Sequence, residues 1–556
     1  MDHQTVYEAF EHTARTHPDL PFLCIPARSD RAWLPDGATF SYRQVLRDVQ
    51  ALRGHYARAG YHAGLRVATL LESRPEFFVH YLALNALGVS LVPVNPDYRH
   101  DELLYQMTHS DACLVVCLPD RIDALRRVAQ ARREAGGAAL PVVDGLEIGP
   151  AARGGFPAAP TAPGGSADTV PGLDAAAPGL DTEASLLYTS GTTGRPKGCM
   201  LSNFYHLNAG DAYRSHGDLL AIGHGCERIY NPLPLYHMNA FAVTATGAIL
   251  SANCLVLVER FSPARWWPEV VATGATVIHY LGIVAPTLLN QPPCPEERQH
   301  RVKFGLGAGI EPSLHREFEQ RFGFPMVEVW GMTETGRIFA DKTEPRAIDT
   351  RAFGRPYPGL EARVVDGEDR DVPRGQPGEL LVRHTAARPR HGFFSGYLKN
   401  PEATEEAWRG GWFHTGDVVT QDATGLLVFV DRRKHIIRRS GENIAAAEIE
   451  AVLQAHDAVA QVAVVPAPDE VRDEEVFACV VPMAGHAPGE ALARRLFDWA
   501  NERLAYYKAP GWVLFMDKLP TTGTQKVQKA QLFAAGEDPR RRAGVVDLRE
   551  LKRRNS

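Results

Sequence analysis

The stretch from residue 66 to residue 96, RVATLLESRPEFFVHYLALNALGVSLVPVNP, passes from a short apolar run through a helical pattern to a second apolar run. Similar apolar runs recur along the chain as DACLVVCL, CLVLVER, ATVIHYLG and MVEVWG, and residues 41–60 show helical spacing. Strands that alternate with helices pair in parallel, because the helix carries the chain back across the sheet. We therefore predict an α/β fold whose sheets are mainly parallel.

The length, charge and cysteine content of the chain limit the classes of protein to which it can belong. Its 556 residues allow several domains, and its hydrophobic content of 45% is ordinary for a globular protein. The formal net charge of −6 argues against nucleic acid as a partner, because nucleic acid usually requires a basic face. The sequence contains no run of about 18 apolar residues, which is the length that a membrane-spanning helix requires. We therefore predict no integral membrane association. The eight cysteines lack metal-ligand spacing, which favours a cytoplasmic, reduced protein, and a homodimer is left open.

Three stretches differ in composition from the rest of the chain. Residues 135–183 are rich in Ala, Gly and Pro, and they predict a low-complexity surface segment that buries little. Near residue 431 a strand leads through a basic turn into a helix, followed by strand, turn and strand, which indicates a small α+β domain. The tail at residues 534–556 is polar and basic, and we expect it to be solvated.

The loop YTSGTTGRPKG, residues 188–198, combines glycines, hydroxyls and one lysine. It is not a Walker P-loop, because that motif requires Gly-Lys-Ser/Thr after four free positions, and here Lys197 follows Pro196. Small residues let backbone N–H groups approach an anion closely, and the lysine adds a positive charge. The loop therefore predicts a phosphate-binding site, and the alternative is a flexible surface loop.

Six further motifs follow this loop along the chain. They are PLYHMNAF (234–241), GLGAG (305–309), VWGMTET (329–335), GWFHTGD (411–417), DRRKHIIRRSGEN (431–443) and LPTTGTQKVQK (519–529). A chain with this ordered series resembles the adenylate-forming superfamily of acyl-CoA synthetases, nonribosomal adenylation domains and beetle luciferases, and the resemblance covers nearly the whole chain. Within the superfamily it is similar in particular to fatty-acyl-CoA and crotonobetaine/carnitine-type CoA ligases.

The resemblance implies a large AMP-binding domain at residues 1–432 and a small mobile α+β lid at residues 433–533. It implies ATP, Mg²⁺ and coenzyme A as cofactors and a small carboxylic acid as the other substrate. In the first half-reaction the acid attacks the α-phosphate of ATP, which gives an acyl-adenylate and pyrophosphate. The lid then rotates, and the thiol of coenzyme A displaces AMP.

The resemblance also assigns residues to the nucleotide and the metal. Glu334 would ligate Mg²⁺, since this hard cation prefers a carboxylate together with phosphate oxygens. Thr333 would reach the α-phosphate. Asp417 would accept hydrogen bonds from the ribose hydroxyls, and Arg432 would support the same sugar. Trp330 stands where the family usually has a tyrosine and would stack on adenine. The remaining nucleotide-binding residues are Thr189, Ser190, Gly191, Thr192, Thr193, Gly194 and Lys197 at the phosphates, Gly307, Ala308 and Gly309 along the adenine and acyl group, and Gly331 and Met332 beside them.

Three further residues receive roles in the reaction. Lys526 would bridge the attacking carboxylate and the α-phosphate, with Gln525 in place of the family's usual glycine and with Lys529 as the alternative lysine. His237 would lie beside the substrate carboxylate, and the alternative is a packed core histidine. Lys434 occupies the family's hinge position and would otherwise belong to a solvated basic patch.

The acyl pocket implied by the resemblance is mostly apolar or aromatic, which favours a fatty, aromatic or other largely apolar acid. Arg337 is the exception. Facing inward it would anchor a second acidic group, and facing outward it would be a solvated arginine. The pocket residues are Tyr236, Met238, Asn239, Phe241, Tyr280 and Ile338.

Other functions remain open beside the leading one, an ATP-dependent, AMP-forming carboxylic acid–CoA ligase. A carnitine- or crotonobetaine-type ligase and a dicarboxylate ligase belong to the same class. A stand-alone adenylation protein that loads a carrier protein would need an aspartate for the substrate amine, and PLYHMNAF contains none. A non-catalytic nucleotide-binding relative is disfavoured, because Lys197, Glu334, Asp417, Arg432 and Lys526 are all present.

Overall fold

Chain contacts divide the protein into two compact units. The first contains residues 1–349 and 384–406, and the second contains residues 350–383 and 407–556. The computed structural model describes residues 2–98, 100–147, 156–160, 177–189, 196–432, 435–439, 442–469, 472–504, 506–521, 527–534 and 536–552.

The strands in these ranges are short, as expected for an α/β protein. They are β1 Pro21–Ile25, β2 Ala38–Ser41, β3 Arg66–Leu70, β4 Ser90–Pro93, β5 Leu114–Cys117, β6 Val142–Asp144, β7 Glu183–Thr189, β8 Lys197–Ser202, β9 Arg228–Asn231, β10 Cys254–Leu257, β11 Val277–Leu281, β12 Phe304–Ala308, β13 Met326–Trp330, β14 Phe339–Ala340, β15 Ala352–Gly354, β16 Glu361–Val365, β17 Gly378–Arg383, β18 Gly396–Tyr397, β19 Phe413–Gln421, β20 Leu427–Arg432, β21 Ile436–Arg439, β22 Glu442–Ala445, β23 Val459–Asp469, β24 Asp473–Pro482, β25 Trp512–Phe515 and β26 Val545–Asp547.

Helices alternate with the strands over most of the first unit. No helix in the described ranges is both long enough and apolar enough to cross a membrane. The α-helices are α1 Val6–Thr16, α2 Tyr42–Arg58, α3 Pro75–Asn85, α4 His100–His109, α5 Ile122–Glu134, α6 Asn203–Arg214, α7 Thr246–Leu250, α8 Pro263–Thr273, α9 Val284–Leu289, α10 Pro312–Phe322, α11 Pro401–Ala407, α12 Ala446–Gln454 and α13 Glu490–Arg503, and a π-helix spans Asn239–Ala245.

Helix α2 illustrates how the sequence sets local structure. The Ser41 side chain accepts a hydrogen bond from the backbone of Gln44, and the Gln44 side chain accepts one from the backbone of Ser41. This capping box satisfies two donors that the first helical turn leaves unpaired. Val45, Val49 and Leu52 recur at helical spacing and are buried. The helix predicted at residues 41–60 is confirmed.

Two sheets form the frame of the first unit. One has the strand order β14-β13-β12-β11-β9-β10-β1-β2 and is parallel except at its two edges. The other has the order β18-β8-β7-β4-β3-β5-β6, in which β4, β3, β5 and β6 run parallel to one another. Helix α3 is buried at every position from Phe77 to Asn85, as expected for a helix enclosed on all sides. The predicted α/β fold class is confirmed.

The second unit contains two further sheets. The antiparallel order β15-β20-β19-β17-β16 forms one sheet. The other has the order β22-β21-β24-β25-β26, with β23 paired to β24, and it carries α12 and α13. The strand–turn–strand prediction for β23 and β24 is confirmed. The prediction of a turn that leads directly into a helix after residue 431 is wrong, because the β21–β22 hairpin precedes α12. The predicted division at residue 432 stays a prediction.

The segment at residues 135–183 contacts the first unit at several points. Leu140 is buried, and β6 extends the sheet beside β5. The Phe156 ring stacks on His55, with ring centroids 5.2 Å apart, and it meets Tyr56 edge-on. The expectation that the segment buries little is therefore wrong at these positions. Residues 148–155 and 161–176 lie outside the described residues.

These contacts predict different effects for two exchanges of equal length with a Gly/Ser sequence. Exchange of residues 140–160 should lower the free energy of unfolding by about 2–5 kcal/mol, since a buried leucine and a paired strand are lost. Exchange of residues 161–176 should leave the thermal midpoint unchanged, because the stretch contains few apolar side chains to bury. Thermal unfolding of both variants provides the check. Equal destabilisation would show that the second stretch also packs against the body.

The tail is also better ordered than its composition predicts. Strand β26 pairs antiparallel with β25, and Leu548 is buried. The Lys552 ammonium lies 2.5 Å from a Glu475 oxygen, and Arg439 holds the other oxygen at 2.7 Å. The expectation of a solvated tail is wrong for the described residues 536–552, because an apolar side chain and a buried lysine anchor them.

Candidate active site

The phosphate-binding loop predicted at residues 188–198 lies between two antiparallel strands. Thr189 at the end of β7 pairs with Lys197 at the start of β8. A Walker P-loop instead joins a strand to a helix, so the flanking elements support the exclusion made from the sequence. Ser190, Gly191, Thr192, Thr193 and Gly194 lie outside the described residues, and their assignment stays a prediction.

Lys197 and Glu334 come together around one tyrosine that the sequence reasoning did not single out. The Tyr397 hydroxyl donates to Glu334 Oε1 at 2.9 Å. The Lys197 ammonium lies 4.7 Å from the centroid of the Tyr397 ring. Glu334 is 6% exposed and Tyr397 is 8% exposed. The structure therefore brings together the predicted phosphate-binding lysine and the predicted metal-binding carboxylate.

The loop after β13 carries Thr333 and Glu334 and is fixed from two sides. The Tyr205 hydroxyl of α6 donates to the Thr333 carbonyl at 2.7 Å. The backbone N–H of Phe394 donates to the Glu334 carbonyl at 2.9 Å. Both contacts hold main-chain atoms, so the side chains project from a backbone with little freedom to move.

Trp330 precedes this loop, with Gly331 and Met332 partly or fully exposed after it. The indole is buried, and its ring centroid lies 5.7 Å from that of Phe339 on the paired strand β14. One neighbour of the ring is thus another aromatic side chain. Stacking of Trp330 on adenine stays a prediction.

The GLGAG motif forms most of strand β12 and ends one residue beyond it, and close packing explains two of its glycines. A Cβ at Gly307 would overlap the carbonyl and ring of Tyr280 on β11. Gly309 has a φ of +88°, a region that favours glycine, and its N–H donates to Glu328 Oε1. The Tyr280 hydroxyl donates to the other oxygen of Glu328 at 3.0 Å. Burial raises the pKa of Glu328 to about 7. Binding of a ligand by Gly307, Ala308 and Gly309 stays a prediction.

The predicted acyl pocket divides into partly exposed and buried residues. Tyr236, His237, Met238 and Asn239 are partly exposed at the start of the π-helix, and π-helical turns occur frequently at functional sites. Ile338 is buried.

Two predicted pocket residues are fully buried, and their place in an acyl pocket stays a prediction. Phe241 and Tyr280 are both 0% exposed. The Phe241 ring packs between Phe77, Tyr81 and His206. Among the predicted pocket residues, fewer aromatic side chains are exposed than the sequence indicates. The argument from these side chains for an apolar acid is therefore weaker.

Arg337 is partly buried and makes a defined contact. Its Nη2 donates to Asn208 Oδ1 of α6 at 2.8 Å. Arg337 Nε and Asn208 Nδ2 are buried donors without an acceptor among the described residues. Burial, and after it the positive charges of Lys342 and Arg337, lowers the pKa of His216 to about 4. Arg337 is therefore not the freely solvated arginine of the alternative prediction.

In the second unit, Asp417 and Arg432 are direct partners in the β19–β20 ladder. Binding of a ribose by these two residues stays a prediction. Lys434 and Lys526 lie outside the described residues. Lys529 lies 2.7 Å from Glu450 Oε1, so this alternative to Lys526 already has a structural partner.

Comparison with known proteins decides the family. The profile described as AMP-binding enzyme matches residues 10–398, and the profile described as AMP-binding enzyme C-terminal domain matches residues 448–526. This chain belongs to the AMP-binding enzyme family. The predicted resemblance is thereby confirmed.

Relatives of this AMP-binding enzyme are named CoA ligases. The chain is 32% identical over 527 residues to a sulfoacetate–CoA ligase of Cupriavidus necator, with 93% of this chain and 95% of the relative covered. It is 29% identical over 513 residues to a crotonobetaine/carnitine–CoA ligase of Proteus mirabilis, with 89% and 93% covered. ATP-bound MatB from Rhodopseudomonas palustris superposes with a TM-score of 0.75 at 26% identity, with 94% and 97% covered. The predicted class of acid–CoA ligase is confirmed.

Sequence reasoning on this AMP-binding enzyme missed contacts that join distant parts of the chain. Tyr397 lies in GYLKNPEAT, well beyond Glu334, and no local pattern predicts that the two meet. Glu328 directly precedes the motif VWGMTET. Its carboxylate within an otherwise apolar strand was the sequence signal that could have identified it. Asn208 lies within α6 and outside the recognised motifs, so the sequence offered no signal for it.

Proposed function

We propose that the protein joins a carboxylic acid to coenzyme A at the expense of ATP, through an acyl-adenylate and with AMP as product. The observation that carries the proposal is the arrangement of Lys197 and Glu334 around Tyr397. A lysine and a carboxylate on neighbouring elements supply the charges that a triphosphate and its counter-ion require. The predicted localisation in the cytoplasm and the open question of a homodimer remain expectations from the sequence.

The proposed reaction places charge development at the α-phosphate. Attack by the acid carboxylate forms a bond to phosphorus, and pyrophosphate leaves with the electron pair. Lys197 would neutralise the departing phosphates, and Thr333 would donate to the α-phosphate. Lys526 would hold the attacking carboxylate in line with phosphorus. In the second half-reaction the thiol loses its proton, attacks the acyl carbon and releases AMP.

Magnesium would supply further charge neutralisation on the phosphates when bound. The donor set fits this ion at Glu334, because the carboxylate is buried and one of its oxygens is fixed by Tyr397. Mg²⁺ usually takes one or two protein carboxylates and completes its shell with phosphate oxygens and water. Among the described residues no cluster of three or more potential ligands forms a full protein cage.

A panel of acids tests the proposed function. Each acid is incubated with the protein, ATP and Mg²⁺, and release of pyrophosphate and AMP is measured with and without coenzyme A. The proposal expects acid-dependent pyrophosphate release and AMP release that requires coenzyme A. AMP release that requires a carrier protein instead would favour the adenylation protein, and no release with any acid would favour the non-catalytic relative.

A small acid with a second anionic group is the favoured substrate within this function. Three observations support it. Phe241 and Tyr280 are buried in the core, Arg337 is held beside the Thr333–Glu334 loop, and one relative is named for sulfoacetate. A guanidinium recognises carboxylates and sulfonates through paired hydrogen bonds. The largely apolar acid remains the second candidate, supported by Met238 and Ile338.

Substitution of Arg337 separates the two acids. Arg337→Leu should lower kcat/KM for sulfoacetate by about 100-fold, because a buried anion would lose its partner. Consider an acid of similar length that has no second anionic group. For this acid the same change should leave kcat/KM unchanged or raise it. Arg337→Lys is the control that keeps the charge and should recover part of the loss. Equal losses for both acids would remove Arg337 from substrate recognition.

A further inference from the structure

Tyr397 is fixed in place by the strand that carries it. Strand β18 pairs antiparallel with β8, and Tyr397 lies opposite Cys199. The N–H of Leu398 donates to the Gly198 carbonyl at 2.8 Å, and the N–H of Tyr397 donates to Thr404 Oγ1 at 2.9 Å. The ring therefore projects from a backbone that is tied directly to the strand following the phosphate-binding loop.

The side chain of Tyr397 contacts the two groups of opposite charge with different parts of its surface. Its hydroxyl donates to Glu334 Oε1 at 2.9 Å, and its ring faces the Lys197 ammonium at 4.7 Å. An ammonium over an aromatic face is attracted by the negative face of the ring. A hydrogen bond to an ionised acceptor is stronger than one between neutral groups.

The Tyr397 hydroxyl acts as a hydrogen-bond donor to the Glu334 carboxylate, which can only accept when it is ionised. Tyr397 contacts the site through this hydrogen bond and through the face of its ring. Any contribution of Tyr397 to the reaction must therefore act through Glu334 and Lys197.

We propose that Tyr397 is the positioning residue of the metal and phosphate site: its hydroxyl orients the Glu334 carboxylate for Mg²⁺, and its ring holds the Lys197 ammonium for the phosphates. These two contacts restrain two long side chains within the protein, which would lower the entropic cost of ordering them around MgATP. The inference rests on the proposed use of MgATP and deepens it, because it concerns nucleotide binding alone and is tested without the acid or coenzyme A.

Two substitutions of Tyr397 separate its two contacts. Tyr397→Phe removes the hydroxyl and keeps the ring, so it should raise the Mg²⁺ concentration for half-maximal ATP binding by about tenfold, as expected when a contact to a metal ligand is lost. ATP affinity at saturating Mg²⁺ should stay near that of the unmodified protein. Tyr397→Leu removes the ring as well, so it should weaken ATP binding even at saturating Mg²⁺. Calorimetric titration of ATP at several Mg²⁺ concentrations measures both effects.

Tyr213→Phe is the matched control. Tyr213 is also buried, and its hydroxyl forms a hydrogen bond with Nε2 of His279 on β11 at 2.9 Å. Loss of the Tyr213 hydroxyl should change the thermal midpoint about as much as Tyr397→Phe does. The Mg²⁺ dependence of ATP binding should stay unchanged. An unchanged Mg²⁺ dependence in Tyr397→Phe would overturn the inference and leave the proposed function intact. If the unmodified protein binds no MgATP, both fall.

Discussion

Replacement of Lys526 with alanine is expected to slow adenylate formation by about 10²–10³-fold, the effect typical of a lost group that stabilises transition-state charge. The lysine would bridge the attacking carboxylate and the α-phosphate, and no other side chain is assigned to that position. Formation of the thioester from supplied acyl-adenylate should be largely preserved, because the proposed lid would present a different surface in that step. Single-turnover assays of the two half-reactions measure the difference.

Lys529→Ala is the matched control for Lys526→Ala, three positions along the same segment. Lys529 lies 2.7 Å from Glu450, whose pKa is raised by burial. Its loss should lower the free energy of unfolding by about 1–3 kcal/mol, since a partly buried carboxylate loses its partner. Adenylation by the folded variant should be nearly unchanged. Loss of adenylation in Lys529→Ala with retention in Lys526→Ala would exchange the assignments of the two lysines.

Glu334→Gln is expected to lower activity at limiting Mg²⁺ by at least about 100-fold. This effect should exceed that of losing a residue that only contacts a metal ligand, because Glu334 would bind the ion itself. Glutamine has the same shape, and its side-chain oxygen can still accept the hydrogen bond from Tyr397. The charge that attracts the cation is nevertheless lost. The thermal midpoint should change little, which circular dichroism can verify. Normal activity at limiting Mg²⁺ would remove Glu334 from the metal site.

The sequence predicted those parts of the fold that depend on local periodicity. Helix α2 and the β3–α3–β4 unit follow from spacing alone, and the order of the motifs predicted the family. The β21–β22 hairpin was missed, because short strands after a basic turn resemble the start of the following helix. The tail was misjudged because Leu548 and Lys552 are buried by distant strands, and composition does not register long-range contacts.

The candidate site was predicted only in part, and the missing part again depends on long-range contacts. A motif indicates which residues are near a ligand, but it does not indicate which face of an element each side chain occupies. Phe241 and Tyr280 therefore passed as pocket residues although both are buried in the core. Tyr397 escaped notice because its importance arises only from pairing between β8 and β18. Arg337 was singled out as the exception in the predicted pocket, while its partner Asn208 required the structure.

Isolation of the acyl-adenylate tests the central claim most directly. The protein is incubated with ATP, Mg²⁺ and an accepted acid in the absence of coenzyme A, and the bound products are analysed by mass spectrometry. We predict one acyl-adenylate per active site, with release of one pyrophosphate, and its conversion to acyl-CoA and AMP when coenzyme A is added. Formation of ADP and phosphate, or of acyl-CoA without a detectable adenylate, would contradict the account.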